Sequence, residues 1–387
     1  MKVTNHIRYV GVDDTDLDLF ESQYPVPEGV TYNSYLIEDE KIAIMDSVDR
    51  RKTSEWMAQL EQALDGRSPH YLVVQHMEPD HGGSISAVME RWPQLQIVAS
   101  TKAVQMLPQF FAQMDFSGRT VAVKEGDTLS LGNHTLQFMM APMVHWPEVM
   151  VTYEQTERVL FSADAFGTFG ALHGNLTDQR AWPDEARRYY VNICGKYGQP
   201  VQQLLRKVGA LEVATICPLH GPILEDLAYP IGLYDQWSRY EAECDGILVA
   251  YASIHGGTAT AALCMADLLR KRGAEVVTMD LCRCDISAAV SEAFRMKRMV
   301  LAASSYDASV FPPMHDFLHH LQLKAYKGHR VGIIENGSWA PTAGRVMSEM
   351  LGAMKEIDLA PSMVTIRSTM KPTDMEAMEA LATAMLD

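Results

Sequence analysis

Directly after the apolar run Tyr71-Leu72-Val73-Val74 stands His76-Met77-Glu78-Pro79-Asp80-His81, so four side chains able to bind a metal fall within six residues. Side chains alternate faces along a strand, so His76 and Glu78 point to one side while the turn that follows redirects Asp80 and His81 onto a neighbouring point. That geometry suits two metal ions better than one. Solvation of a polar loop alone does not call for two carboxylates and two imidazoles at this spacing. Three more residues of the same chemistry stand at strand ends or loops: His145 in Ala141-Pro142-Met143-Val144-His145-Trp146, Asp164 in Leu160-Phe161-Ser162-Ala163-Asp164-Ala165, and His220 in Cys217-Pro218-Leu219-His220-Gly221-Pro222. Singly, each reads as a buried polar group with its hydrogen bonds met; beside the cluster, the set reads as ligands.

The elements that must position these residues follow from the apolar pattern. Segments around His6 to Asp13, Tyr32 to Glu38 and Lys41 to Ser47 alternate as strands do, and Ser54 to Leu64 and Ser84 to Trp92 are helical. Thr120 to Ala141 and Met150 to Ala163 read as strands and hairpins, with turns at Lys124-Glu125-Gly126-Asp127 and Gln155-Thr156-Glu157-Arg158. This order predicts two sheets with helices outside. The pattern changes near residue 245. Ile247 to Ala252, Glu275 to Leu281, Met299 to Ala303, Arg330 to Ile334 and Ser362 to Ile366 are short continuous apolar runs, each followed by helix, as in a doubly wound parallel sheet of five strands. Two domains, 1–245 and 246–387, are therefore expected, in keeping with a chain of 387 residues.

In the second half, Ser253-Ile254-His255-Gly256-Gly257-Thr258 follows the first strand and opens a helix. Its hydroxyls and glycine amides suit an anion at a helix N-terminus. Ser304-Ser305-Tyr306-Asp307 and Asn336-Gly337-Ser338-Trp339-Ala340 follow two further strands, and ligands of open α/β sheets bind beyond the carboxyl ends of strands. Tyr306 and Trp339 suit the two faces of a flat ring, although either aromatic taken alone reads as core packing or a domain contact. Gly-x-Gly-x-x-Gly is absent, which argues against a nicotinamide dinucleotide.

Composition sets limits. A formal net charge of -16 disfavours nucleic acid as a partner, because phosphate binding draws on clustered Lys and Arg. No apolar stretch approaches the roughly 20 residues that span a bilayer, and the first residues lack the apolar core of a signal peptide, so a cytoplasmic protein is expected. The six cysteines are scattered without a Cys-x-x-Cys pair, and Cys282-Arg283-Cys284 reads as free thiols at a strand end. Lys324, Lys327 and Arg330, expected near these strand-end loops, read as a solvated face rather than a docking site for an acidic partner.

The order of ligands over about the first 240 residues resembles the metallo-β-lactamase superfamily, whose binuclear site is assembled from strand-end loops. Hydrolases of that superfamily usually carry His where this chain has Glu78. With Glu78, Asp80 and Asp164, the set holds three carboxylates beside its imidazoles, a mixture that suits iron cycling between ferrous and ferric better than zinc. The second half is similar to a flavodoxin. That resemblance implies FMN, with its phosphate on the first loop and its ring between the other two, although His255 stands where flavodoxins usually have a further hydroxyl residue. The expected fold is thus an αββα metallo-β-lactamase-like sandwich followed by a flavodoxin-like five-stranded doubly wound sheet.

Together the halves resemble the flavodiiron proteins, or A-type flavoproteins, across essentially the whole chain. The resemblance implies one iron held by His76, Glu78 and His145, a second by Asp80, His81 and His220, and Asp164 bridging them. It implies reduction of dioxygen to water, nitric oxide to nitrous oxide, or both, and a head-to-tail homodimer or dimer of dimers that sets one subunit's FMN beside the other's irons. A chain ending at Asp387 leaves no appended rubredoxin or flavin reductase domain, so rubredoxin or another small reductant is the expected donor. Trp146 and His173 are near ligands in sequence but read as packing. The rival readings are a di-zinc hydrolase with an appended flavodoxin module and a non-enzymatic electron-transfer or gas-sensing module.

Overall fold

The apolar runs of the first half become two sheets in the computed structural model, which describes Met1–Asp387. The first sheet contains β1 (Ile7–Tyr9), β2 (Tyr35–Ile37), β3 (Ala43–Met45), β4 (Tyr71–Val74), β5 (Gln96–Ser100) and β6 (Thr120–Val123), in that spatial order. Its pairings are antiparallel up to β3 and parallel from there on. The second sheet contains β7 (Thr128–Ser130), β8 (Thr135–Met140), β9 (Met150–Glu154), β10 (Val159–Phe161) and β11 (Thr215–Cys217); only its last pairing, β10 with β11, is parallel. One apolar cluster joins the facing sheets, with Tyr35, Met45, Val73 and Val98 from the first and Leu136, Phe138, Met150 and Phe161 from the second, all essentially without solvent contact. Burying these side chains fixes the register of both sheets, because a slip of one residue would turn each apolar set outward.

The five continuous runs of the second half become β12 (Cys244–Ala252), β13 (Val276–Asp280), β14 (Met296–Tyr306), β15 (Arg330–Asn336), and a last position shared by β16 (Asp358–Leu359) and β17 (Val364–Ile366). Their spatial order is β13-β12-β14-β15 and then β16 or β17, every pairing parallel. Strands covered by helices on both faces must be apolar throughout, which is why these runs lack alternation. Helix Gly257–Lys271 buries Ala261, Ala262, Met265, Ala266 and Leu269 against the sheet.

The chain divides into the units Met1–Asp235 and Gln236–Asp387. The change of apolar pattern falls ten residues later than this division. Residues between them go with the second unit because Trp237 Nε1 donates to Glu243 Oε1 (2.6 Å) and Glu243 N donates to the Arg295 carbonyl (3.0 Å). The last helix before the change of pattern is Ala228–Ser238. All six cysteines are free, and no helix is long and apolar enough to cross a membrane.

Candidate metal centre and cofactor cleft

The residue pattern after β4 folds as its proline dictates. Glu78 takes an extended conformation as the cap of a single turn, Pro79–Gly82, with Pro79 at the first helical position where its missing N–H costs no hydrogen bond. The turn swings Asp80 and His81 away from His76 and Glu78. His145 follows β8, Asp164 follows β10, and His220 follows β11. The last loop is held by Asn33, whose Nδ2 donates to the carbonyls of Pro218 (2.9 Å) and Gly221 (2.8 Å), and by the Tyr35 hydroxyl on the Pro218 carbonyl (2.9 Å).

All seven side chains named from the sequence meet in the first unit, as one group of His76, Glu78, His145 and Asp164 and another of Asp80, His81 and His220. Asp164 faces both. Its Oδ2 lies 3.2 Å from His76 Nε2 and 3.1 Å from His145 Nε2, and its Oδ1 lies 3.4 Å from His81 Nε2 and 3.8 Å from His220 Nε2. Glu78 Oε2 sits 3.1 Å from His76 Nε2 and 2.9 Å from His145 Nε2, while Asp80 Oδ2 is 3.3 Å from His81 Nε2 and 3.2 Å from His220 Nε2.

The other edges of these rings are tied down. His76 Nδ1 is 2.8 Å from Glu148 Oε1, which also accepts from Met77 N (2.9 Å), and His220 Nδ1 donates to the Thr31 carbonyl (2.6 Å). Each such bond fixes the tautomer and turns Nε2 inward. Asp46, buried beneath the loop, accepts from Gln75 N (2.7 Å) and Gln75 Nε2 (2.8 Å), and burial pushes its carboxyl up to about 6.

The electrostatics are those of a cation site. Burial works against a charged imidazole at His76, yet Asp164, Glu148 and Glu78 outweigh it and hold the ring well above its ordinary value. At His145 burial is likewise overcome, by Asp164 and Glu78, and the pKa rises to about 9. Burial would raise Glu78, but hydrogen bonds from His145 and His76 bring it down to about 2. Protonated rings are thus doing what cations would do for three crowded carboxylates. Even so, Asp80 Oδ1 and Oδ2, Asp164 Oδ1 and His81 Nδ1 are buried without a hydrogen-bond partner. Oxygens and nitrogens converging at about 3 Å with acceptor capacity left over fit a pair of metal ions of mixed N/O preference.

Sequence reasoning missed what surrounds these rings. Glu148 follows His145 by three residues in an unremarkable loop, and nothing in its local pattern marks it. Trp146, read as packing, stands edge-on to His76 at 5.2 Å between centroids. Phe20 and Tyr189 flank His220 at 5.4 and 5.5 Å. His173 lies on an exposed turn whose N–H is held by Asp13 Oδ2 (2.9 Å).

In the second unit the three loops converge on a cleft of about 700 Å³. Every residue named from them lines it except Gly256. That glycine, at φ 89°, instead turns the chain into helix Gly257–Lys271, its N–H donating to Ser253 Oγ (3.1 Å). Ala308, Thr342, Ser368 and Thr369 complete the lining. Ser368 and Thr369 follow β17, so the carboxyl-end rule applied to the fifth strand would have found them. Asn336 Nδ2 donates to the Ser368 carbonyl (2.9 Å) and Ser368 N returns a bond to Asn336 Oδ1 (3.0 Å), locking two of the loops together. Trp339 is 89% exposed and Tyr306 44%, so two aromatic faces stand open at the rim. Lys324, Lys327 and Arg330 are not near these loops. Arg330 opens β15 and Asn336 closes it, which separates them by roughly 20 Å along the strand. Arg330 is instead paired with Asp358 (2.9 Å), and Lys327 lies over the Tyr240 ring.

A family model described as ODP family beta lactamase matches residues 30–221. The chain is 31% identical to a protein named nitric oxide reductase from Moorella thermoacetica, over 91% of this chain and 90% of that one. It superposes with a TM-score of 0.94 on the rubredoxin oxygen:oxidoreductase of Desulfovibrio gigas, at 26% identity over 100% of this chain and 97% of that one. The flavodiiron protein of Giardia intestinalis shares the fold, with a TM-score of 0.92 at 23% identity over 100% and 96% of the two chains. With a relative at that identity along nine-tenths of both chains, and the expected sandwich and parallel sheet both present, the chain belongs to the flavodiiron protein family and is an oxidoreductase.

Proposed function

We propose that this protein reduces dioxygen to water, nitric oxide to nitrous oxide, or both, at two irons in the Met1–Asp235 unit served by FMN in the Gln236–Asp387 unit. The observation that carries this reading is Asp164, whose two oxygens each face one group of imidazoles. His76, Glu78 and His145 would hold one iron, Asp80, His81 and His220 the other, and Asp164 would bridge them. Two ferrous ions and a reduced flavin together supply the four electrons that dioxygen requires, or the two that couple a pair of nitric oxide molecules with loss of water.

The chain's own residues prepare that chemistry. Glu148 and the Thr31 carbonyl keep the Nε2 lone pairs of His76 and His220 directed inward. Phe20, Tyr189 and Trp146 supply apolar walls that limit water at the rings. Burial holds the Tyr189 phenol far above its ordinary pKa, so it adds no further negative charge to a centre that already has three carboxylates. In the cleft, the N-terminus of helix Gly257–Lys271 and the hydroxyls of Ser253 and Thr258 suit the FMN phosphate, while Tyr306 and Trp339 suit the ring. A di-zinc hydrolase is not favoured, since relatives along the whole chain are named as reductases.

Because the two sites lie in separate units, a head-to-tail homodimer, or a dimer of such dimers, is the proposed assembly, with rubredoxin or another small reductant as donor and the cytoplasm as location. Free cysteines throughout support a reducing compartment. The test is anaerobic reduction followed by separate exposure to dioxygen and to nitric oxide, with iron, zinc and FMN measured on the same sample. Two irons and one FMN per chain with rapid gas consumption are expected. Zinc in place of iron, or a reduced protein that leaves both gases untouched, would sink the proposal.

A further inference from the structure

Away from the seven ligand residues, a second group of metal-binding side chains comes together where the amino-terminal segment meets the second sheet. His6 precedes β1, His134 closes the hairpin between β7 and β8, and Glu157 lies in the turn between β9 and β10. One ligand atom from each falls within 4.8 Å of the others. We propose that His6, His134 and Glu157 bind a divalent transition metal of the zinc class, which clamps the amino-terminal segment onto the second sheet. This inference is independent of the iron and flavin reading.

His134 carries the argument. It is buried, at 3% exposure, with Nδ1 2.8 Å from Asp39 Oδ2. Asp39 also accepts from His134 N (2.7 Å), Glu40 N (2.8 Å) and Asn133 Nδ2 (3.0 Å). Burial opposes the charge, but these donors hold the Asp39 carboxyl below the usual carboxylate range, so it acts only as an acceptor. Nδ1 therefore carries the proton directed at Asp39, and Nε2 is the ring nitrogen left for a metal. That atom is buried and has no hydrogen-bond partner in the protein. A carboxylate behind an imidazole whose far nitrogen is bare is the arrangement found behind metal-bound histidines.

The other two donors complete the set. His6 Nδ1 lies 3.1 Å from Glu157 Oε1, and the two imidazole rings of His6 and His134 are 4.8 Å apart between centroids. Donors at 2.0 to 2.1 Å around a tetrahedral zinc stand about 3.3 Å from one another, so the His6 to Glu157 edge already has the right length. Glu157 is steadied by the Thr4 hydroxyl on its second oxygen, and Thr4 Oγ1 accepts in turn from Ile7 N (3.0 Å). The His6 side chain is 53% exposed, which leaves it free to close on the ion and gives the ion a path in. Two imidazoles with one carboxylate select zinc or a neighbouring metal over magnesium or calcium, which take oxygen donors.

The test uses the protein with its iron and flavin in place, dialysed against micromolar zinc, with metals counted by mass spectrometry. One zinc per chain beyond the irons is expected in the parent. His6→Ala, at an exposed position that leaves the core intact, and Glu157→Gln should each weaken zinc binding at least tenfold with iron and flavin contents unchanged. Zinc should raise the melting temperature of the parent but not of His6→Ala, because a ligand that binds only the folded state stabilises it. The proposal is overturned if the parent holds no extra zinc, if zinc merely replaces iron one for one, or if both variants bind as the parent does.

Discussion

Glu148→Gln tests the division of the centre into two groups more sharply than removal of a ligand. Glu148 touches only the first group: its Oε1 faces His76 Nδ1 at 2.8 Å and accepts from Met77 N at 2.9 Å, and its backbone carbonyl is pinned by Ser100 Oγ at 2.7 Å. Burial disfavours its charge, yet His76 and the Met77 N–H keep the carboxyl below its ordinary pKa. Glutamine keeps the shape and an oxygen acceptor but removes the charge that makes His76 a stronger ligand. Loss of such a supporting partner lowers metal affinity by roughly 10 to 100-fold, or about 1.4 to 2.7 kcal/mol. The iron at His76, Glu78 and His145 should bear this weakening, while the one at Asp80, His81 and His220 has its own support in the Thr31 carbonyl. In a chelator competition the parent should release both irons together at high chelator, whereas the variant should release one iron at 10 to 100-fold lower chelator and retain the second. Loss of both irons in parallel, or of neither, would refute the reasoning.

Asp164→Ala should strip iron and leave the flavin in place, read by iron analysis and the flavin absorption spectrum; retention of both irons would remove the bridging assignment. Gly257→Ala should do the opposite, since a Cβ there would sit 2.3 Å from the Ser368 carbonyl oxygen, so FMN should be lost on dialysis while iron content holds. For the iron-free protein, His145 has its pKa raised from 6.5 to about 9, so its contribution is complete below about 6.5 and disappears as pH rises through about 9, a loss on the order of 3 kcal/mol. Glu78 has its pKa lowered from 4.5 to about 2, so its contribution is complete above about 4.5 and is lost only as pH falls through about 2. Iron-free protein should therefore melt at a lower temperature at pH 9 than at pH 6, while iron-loaded protein, in which metal replaces the proton on His145, should not; parallel shifts in the two forms would contradict this.

What the sequence made legible is bounded by where the chemistry is written. His76, Glu78, Asp80 and His81 are adjacent in the chain because one strand end and one proline turn place all four, so local spacing announces them. The cleft loops were readable for a related reason: a parallel sheet puts the ends of all its strands on one side, and hydroxyl and glycine residues after apolar runs stand out there. The hairpin of β9 and β10 was foreseen at its turn Gln155-Thr156-Glu157-Arg158, whereas Lys124-Glu125-Gly126-Asp127, read as another such turn, instead carries the chain from β6 in the first sheet to β7 in the second. Glu148, the Thr31 carbonyl and Asp46 were not foreseen, because they act through contacts 29 to 189 residues away in sequence, and a buried Glu or a backbone carbonyl has no periodicity to betray it. Likewise, Lys324, Lys327 and Arg330 were set near the flavin loops from sequence proximity, although a strand of seven residues carries the chain to the far end of the sheet.

The same distinction explains why the Asp39, His134, His6 and Glu157 group escaped notice. Its members are spread from residue 6 to residue 157, each on a different turn, and each alone has an adequate bland role. Only the fold shows that a carboxylate fixes one nitrogen of His134 while the other is left buried with no donor. Long-range pairing of polar groups is also where this chain holds its ligands in place: of the imidazoles at the candidate iron centre, His76 and His220 are oriented by partners 72 and 189 residues away. Ligand identity is therefore local and ligand orientation is not. Substitutions at the ligands should abolish metal binding outright, whereas those at distant partners should grade it, and the graded set is what only a three-dimensional reading can supply.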